Sequence, residues 1–252
     1  MPTPRAQALV GPARAALEAL QRLSTRDAPF EPADAERSFR IGMTDASHIT
    51  LLPPLLAHVR ALAPRVKLIA ARIDERTAEA LQSGEADLAL GYAPWLSAGF
   101  YQQALYAQDW VCLTNARHPR LKKTLTRRLY AAEGHVGITG GTGSELLANA
   151  LKRGKVERRV MLELPGFLGL GAIVASTDLI ATLPRQIGEA LAASASLAVH
   201  ASPIAIAPFT VHQHWHALAH HDGANRWLRS VVATLFLKPG SRNIRGWAQS
   251  PA

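Results

Sequence analysis

The sequence predicts an α/β chain of two β/α lobes, the later one inserted into the earlier, joined by two hinge strands and preceded by a helix. Three observations carry this. From residue 38 onward short apolar runs alternate with helical periodicities, the pattern of a largely parallel sheet. The alternation breaks off near residue 116 and restarts at His135–Thr139 with a second Gly-rich turn. After Ala207-Pro208 a further strand, VHQHWHALA, and a helix over Ala224–Phe236 return to the first set.

In chain order, residues 1–24 read as one amphipathic helix. Ala6, Val10, Ala13, Leu17 and Leu20 recur at spacings of four and three, the seam of a helix that wants a partner, with a kink expected at Gly11-Pro12. Residues 25–37 are polar and proline-containing and read as a linker. The first lobe is expected over 38–116 and 210–240, with strands at 39–43, 66–72 and 87–91, helices near 51–62 and 76–83, and one or two strands within Leu105–Thr114. The second lobe is expected over 117–209, with a strand at 135–139, a helix over 144–153, a strand near 158–164, an apolar helix at 167–175 and a strand at 178–183. Residues 241–252 read as a tail. Crossings near Thr114–Pro119 and Ala207–Thr210 would form the hinges, with a cleft between the lobes.

The stretch FRIGMTDASHITLLPPLL (39–56) reads as strand, polar turn and helix start. With Thr50 or a neighbour as N-cap, Pro53 and Pro54 fall in the first turn, where their missing N–H groups are not needed. Such a junction collects free amides, the positive end of a helix dipole and small hydroxyls at the carboxyl end of a strand, where anions bind in open α/β sheets. An ordinary βα turn would look the same. Thr139-Gly140-Gly141-Thr142-Gly143-Ser144 is a second junction of this kind, with Ser144 able to cap the following helix. It is neither a P-loop nor a dinucleotide fingerprint, and a plain flexible turn remains open for it.

Composition narrows the function. At 252 residues, 48% apolar and 19% charged, the chain can bury a full core. No apolar run reaches the roughly 20 residues of a membrane span, and Met-Pro-Thr-Pro-Arg opens without a secretory h-region. The single cysteine, Cys112, rules out an internal disulfide and fits a reducing cytoplasm. The net charge of +9 is concentrated in Arg120–Arg128 and Lys152–Arg159, yet no aromatic is interleaved with either cluster, and both read as solvated faces rather than a nucleic-acid surface. His212, His214 and His216 would share one face of a strand, but only Asp222 lies near enough in sequence to support a zinc site, so no metal is expected. No nucleophile elbow or carboxylate pair occurs, and neither a catalytic residue nor a cofactor is expected.

Taken together, several stretches resemble the regulatory part of a LysR-type transcriptional regulator. PTPRAQALVGPARAALEAL (2–20) resembles that family's linker helix, IGMTDASHITLLPPLL its first strand and helix, QSGEADLALG (82–91) a strand of the first lobe, and STDLIATLP (176–184) the end of the second. WHALAHHDGANRWLR (215–229), with Asp222, Asn225 and Trp227-Leu228-Arg229, is similar to the subgroup that regulates breakdown of naphthalene, salicylate and nitroaromatics. Two positions depart from that subgroup: Gly223 follows the aspartate where proline is usual, and Gly166 precedes Phe167 where some relatives carry a polar side chain.

The resemblance implies two Rossmann-like lobes of the periplasmic-binding-protein type 2 kind, and an inducer held between them. Position by position it implies contacts from Thr44, Asp45, Ala46, Ser47, His48, Thr50, Asp74 and Tyr92 on the first lobe, and from Thr139, Gly140, Thr142 and Phe167 on the second. An aromatic carboxylate would sit on the amides and hydroxyls of Ser47 and Thr50, its ring between Phe167 and Tyr92, with Trp95 a candidate to close the mouth. Asp45 can instead cap the helix, and its position favours that structural role. The family works as a homodimer or homotetramer in the cytoplasm. Operator DNA is reached through an N-terminal winged helix-turn-helix, and the chain starts at the linker helix. A periplasmic-type solute-binding protein shares the architecture and is the rival reading, ahead of an enzyme.

Overall fold

A computed structural model describes residues 30–121, 124–140 and 143–237, and the backbone of 244 and 245. The helix expected over 1–24, the linker up to residue 29, Thr142, and all of the expected tail but residues 244 and 245 lie outside the described residues.

The first lobe opens with β1 (Ser38–Met43), which pairs in parallel with β2 (Lys67–Arg72) and β3 (Leu88–Gly91). Between β1 and β2 lie α1 (Asp45–Thr50) and α2 (Leu52–Leu62), and between β2 and β3 lies α3 (Thr77–Ser83). β4 (Phe100–Gln108) completes this part of the chain. The second lobe then runs β5 (Trp110–Asn115), α4 (Arg127–Ala132), β6 (Gly134–Ile138), α5 (Ser144–Gly154), β7 (Arg159–Leu164), α6 (Leu170–Ser176), β8 (Ile180–Pro184), α7 (Arg185–Ser194) and β9 (Leu197–Ala201). The chain returns through β10 (Phe209–His216), α8 (Gly223–Phe236) and the short β11 (Ile244–Arg245). The strand orders are β11-β4-β10-β3-β1-β2 in the first sheet and β7-β6-β8-β5-β9 in the second.

Alternation along the strands explains where each core lies. Phe39, Ile41 and Met43 of β1 point to one face of the pleat and bury against Leu55 and Val59 of α2 and Leu228 and Val232 of α8. β3 is central and buried on both faces, so Leu88, Ala89 and Leu90 form an uninterrupted apolar run. In the second lobe Leu113, Val136, Ala181 and Leu183 face Leu170, Val174 and Ile187 of α6 and α7.

The stretch 215–229 serves as scaffold. Asp222 caps α8 by accepting from the Asn225 amide at 2.7 Å, and Asn225 Nδ2 donates to the Asp87 carbonyl next to β3, also at 2.7 Å. Trp215 is fully buried, donates to His220 Nδ1 at 3.1 Å and carries the Arg229 guanidinium 4.2 Å above its ring.

Four features differ from the sequence expectation. The polar patch after β1 is itself helical: the Thr44 side chain caps α1 by accepting from Ser47 N, so the helix starts at Asp45, and α2 with Pro53 and Pro54 in its first turn follows without a side-chain cap. Trp110–Asn115, assigned by sequence to the first lobe, pairs with β8 and β9 of the second sheet, so the chain crosses at Asp109. α4, α7 and β9 were not anticipated. α5 begins at Ser144 with Gly143 at the N-cap, and no side chain caps it.

Candidate functional site

A cavity opens between the two sheets where β1, β3 and β10 of one lobe face β5, β6 and β8 of the other. It encloses about 750 Å³ of space free of protein atoms, its open mouth included. From the first lobe come Thr44, Ala46, Ser47 and Thr50 around α1, Gly91 at the end of β3 with Tyr92 after it, and Tyr106 and Gln108 at the end of β4. The second lobe contributes Trp110, Gly140, Gly143 and Ser144, Phe167, Thr182, and Gln186 with Ile187 at the start of α7. Phe209 stands at the second crossing, its ring 5.4 Å from Tyr92 and 5.9 Å from Trp110.

Among the described residues no Asp, Glu, Lys, Arg or His side chain lines this cavity. Its polar character comes from hydroxyls, two glutamine amides and helix starts. At α1 the Ser47 and His48 amides already donate to the Thr44 carbonyl, at 3.0 and 3.3 Å. Asp45 and Ala46 are the amides there without a helical acceptor, because a helix's first residues have no turn before them. α5 faces the same space with its own N-terminus. α7 is closed by comparison: Arg185 N donates to the Asp109 carbonyl at 2.9 Å, and the Gln186 amide faces Gln108 Oε1. The walls are tied deeper in. Gln108 Nε2 donates to Gln186 Oε1 at 3.1 Å across the lobes, and Thr182 Oγ1 lies 2.9 Å from the Tyr130 hydroxyl. Burial pushes the Tyr106 phenol well above its ordinary pKa and the Cys112 thiol up to about 11, so both stay neutral.

Of the residues expected from sequence, Thr44, Ala46, Ser47, Thr50, Tyr92, Gly140 and Phe167 line the cavity. Four lie elsewhere. The Asp45 carboxylate crosses between the lobes and accepts from the backbone N–H of Phe167. Gly166 makes this possible, since a Cβ there would lie 2.9 Å from Asp45 Cγ. His48 is exposed on the outer side of α1. Asp74 closes its own turn, accepting from Arg76 N at 2.9 Å, and borders a different surface groove. Thr139 is exposed, and its hydroxyl donates to the Leu164 carbonyl at 3.2 Å. Trp95 is 42% exposed and stands apart from the lining. Sequence reading missed Tyr106, Gln108, Trp110, Thr182, Gln186 and Phe209. Trp110 and Phe209 flank the two crossings, and aromatic residues at strand exits of a two-lobed chain were the available signal.

The histidine run is dispersed. His212 and His214 have ring centroids 5.6 Å apart, while His216 packs on Phe100 and His220 stacks on Tyr101. Among the described residues no group of three or more His, Cys, Asp or Glu is placed to hold a metal ion, and no helix is long and apolar enough to cross a membrane.

Comparison with known proteins gives a consistent picture. Residues 32–236 match the family model described as the LysR substrate binding domain. The chain is 33% identical over 237 residues to the HTH-type transcriptional activator NahR of Pseudomonas putida, covering 93% of this chain and 79% of that protein. It is 34% identical over 238 residues to the HTH-type transcriptional activator NagR of Ralstonia sp, with the same shares covered. Among solved structures, one described as a probable transcriptional regulator from Pseudomonas aeruginosa superposes with a TM-score of 0.83 at 32% identity, covering 94% of this chain and 80% of that one. The regulatory domain of MexT, a transcriptional activator of the same organism, superposes with a TM-score of 0.69 at 31% identity, covering 78% and 98%.

Proposed function

The chain belongs to the LysR-type transcriptional regulators as their effector-binding part, and we propose that it holds a small aromatic carboxylate in the cavity between its lobes. The observation that carries this is the lining. Rings of Tyr92, Trp110, Phe167 and Phe209 enclose a space with no charged side chain among the described residues, onto which α1 and α5 both open at their N-termini. Rings favour a flat apolar body, and helix starts favour a negative end. A cationic ligand would find no carboxylate there. The resemblance of residues 215–229 to regulators of naphthalene, salicylate and nitroaromatic breakdown points to the same class.

In this reading the carboxylate rests on the Asp45 and Ala46 amides with the Ser47 and Thr50 hydroxyls beside it, and Tyr92 and Phe167 flank the ring. Binding shifts the lobe angle only as far as the ligand prefers one angle over the other. Residues 1–24, which the sequence predicts as a helix, would pair subunits as a dimer or tetramer in the cytoplasm. The new angle would then reset the spacing of the family's winged helix-turn-helix heads on the operator. Such a domain binds and signals without turnover.

Thermal unfolding with benzoate, salicylate and a nitrobenzoate, beside the neutral amide of each, tests this. At a hundredfold excess over Kd a bound acid adds about 2.7 kcal/mol, a rise of roughly 5–10 °C for a domain of this size. Equal shifts with acids and amides, or none with any acid, would refute the inducer class.

A further inference from the structure

The second lobe carries a basic groove that the inducer cavity does not use. Between residues 110 and 207 there are twelve Lys and Arg against six Asp and Glu, while 30–109 and 208–237 together hold nine against eleven. The positive charge thus sits on one lobe. Arg127–Arg128 and Lys152–Lys155, 24 residues apart in sequence, are brought to the same place. Arg127 at the start of α4 donates to the Gly154 carbonyl at the end of α5, which closes a groove lined by Arg127, Arg128, Lys152 and Lys155. Its floor is Ala131, Leu151 and Val156, its one acid is Glu157, and Arg153 lies at the rim shared with a neighbouring groove. All five cations are exposed, and among the described residues none is in an ion pair.

Helix stability does not account for the set. Lys152 and Arg153 stand in the last turn of α5, where the dipole favours cations. Arg127 is turned to the Gly154 carbonyl at the end of α5, where a cation is also favourable, but Arg128 stands in the first turn of α4, where the dipole disfavours it and no acidic residue offsets it. Charge kept against the local dipole and aimed into a groove suits a polyanion outside the chain.

We propose that this groove contacts the phosphate backbone of duplex DNA without reading sequence. The floor holds no ring on which an unpaired base could stack, which argues against single strands. Arg and Lys side chains without Asn or Gln partners position a backbone rather than read base edges. A LysR-type regulator works where duplex phosphate is abundant. This departs from the expectation that DNA is reached through the winged helix-turn-helix alone: the groove would add a salt-sensitive contact from the regulatory lobe.

The test is fluorescence anisotropy of the full 252-residue chain with a scrambled duplex of about 20 base pairs, from about 50 to 200 mM salt. Three phosphate contacts give a log–log slope of about −2.7, or roughly a 40-fold loss of affinity over that range. The triple variant Lys152→Gln, Arg153→Gln, Lys155→Asn should lose most of that slope and at least about tenfold in affinity at the lowest salt. Asparagine is chosen at 155 because Lys155 has a φ of 48°. A control that removes equal charge from the first lobe, Arg60→Gln, Lys67→Gln, Arg72→Gln, should bind like the parent. If the groove triple does not fold, Arg128→Glu on the opposite wall carries the same test. No binding by the parent, equal losses in both triples, or tighter binding of polyglutamate than of duplex would overturn the proposal, the last in favour of an acidic protein partner.

Discussion

The bond between Asp45 and the Phe167 amide should be the most measurable link between the lobes. Asp45→Ala removes a charged acceptor of a backbone N–H, about 1.5–3 kcal/mol, and an acid from the first turn of α1, about 0.3–1 kcal/mol more. Gly166→Ala reaches the same bond from the other side. Its Cβ would stand 2.9 Å from Asp45 Cγ, so the carboxylate has to leave or the backbone has to move. Either single variant should lose about 2 kcal/mol, a fall in Tm of roughly 4–8 °C for a chain of this length. Together they should cost little more than Asp45→Ala alone, because the new methyl then has room and alanine lowers the entropy of the unfolded chain. A double-mutant cycle by thermal and urea unfolding should therefore give a coupling of about 2 kcal/mol. Additivity within about 0.5 kcal/mol would show that glycine at 166 is unrelated to the Asp45 carboxylate.

Three further outcomes follow from the packing. His135 is fully buried, and burial lowers its pKa from 6.5 to about 4. The fold therefore prefers the neutral ring, and the stability this provides is complete above pH 6.5 and is lost as pH falls toward 4. Unfolding midpoints that stay flat across that window in the parent, or that still fall in His135→Phe by the same amount, would contradict this. Gly188→Ala, ordinarily a gain of about 1 kcal/mol in a helix, should instead destabilise by roughly 1–3 kcal/mol, since its Cβ would lie 2.7 Å from buried Val111 Cγ2. A raised Tm would refute that. Phe209→Ala should weaken binding of an aromatic acid while Thr139→Ala leaves it unchanged, because only the first borders the cavity; isothermal titration separates the two.

Much of the architecture was legible because it rests on period and punctuation. The apolar runs at 39–43, 66–72 and 87–91, the restart at 135–139 and the return at 211–219 are each local signals, and they became the strands Ser38–Met43, Lys67–Arg72, Leu88–Gly91, Gly134–Ile138 and Phe209–His216. What escaped was decided by long-range pairing. Nothing within WVCLTN says that it joins β8 and β9 rather than β4. α7 was missed because RQIGEALAAS is alanine-rich with a central glycine, so its apolar stripe is faint until Ile187 finds Leu170 and Val174. The site divides the same way. Thr44, Ser47 and Thr50 follow from a strand running into a helix. The place of Asp45 depends on a loop 122 residues away, and Tyr106, Gln108 and Gln186 enter only once two sheets face each other.

The two crossings lie side by side. β4 and β10 are still paired at Gln108 and Phe209, and two residues further on along each strand the Trp110 indole donates to the Ala207 carbonyl at 3.1 Å. Strands fastened to each other at the point of passage behave as one axle: the halves swing about it, and sliding past one another is resisted. Such a device converts the thickness of whatever is clasped into a single angle, so molecules of different chemistry but equal girth would send the same message.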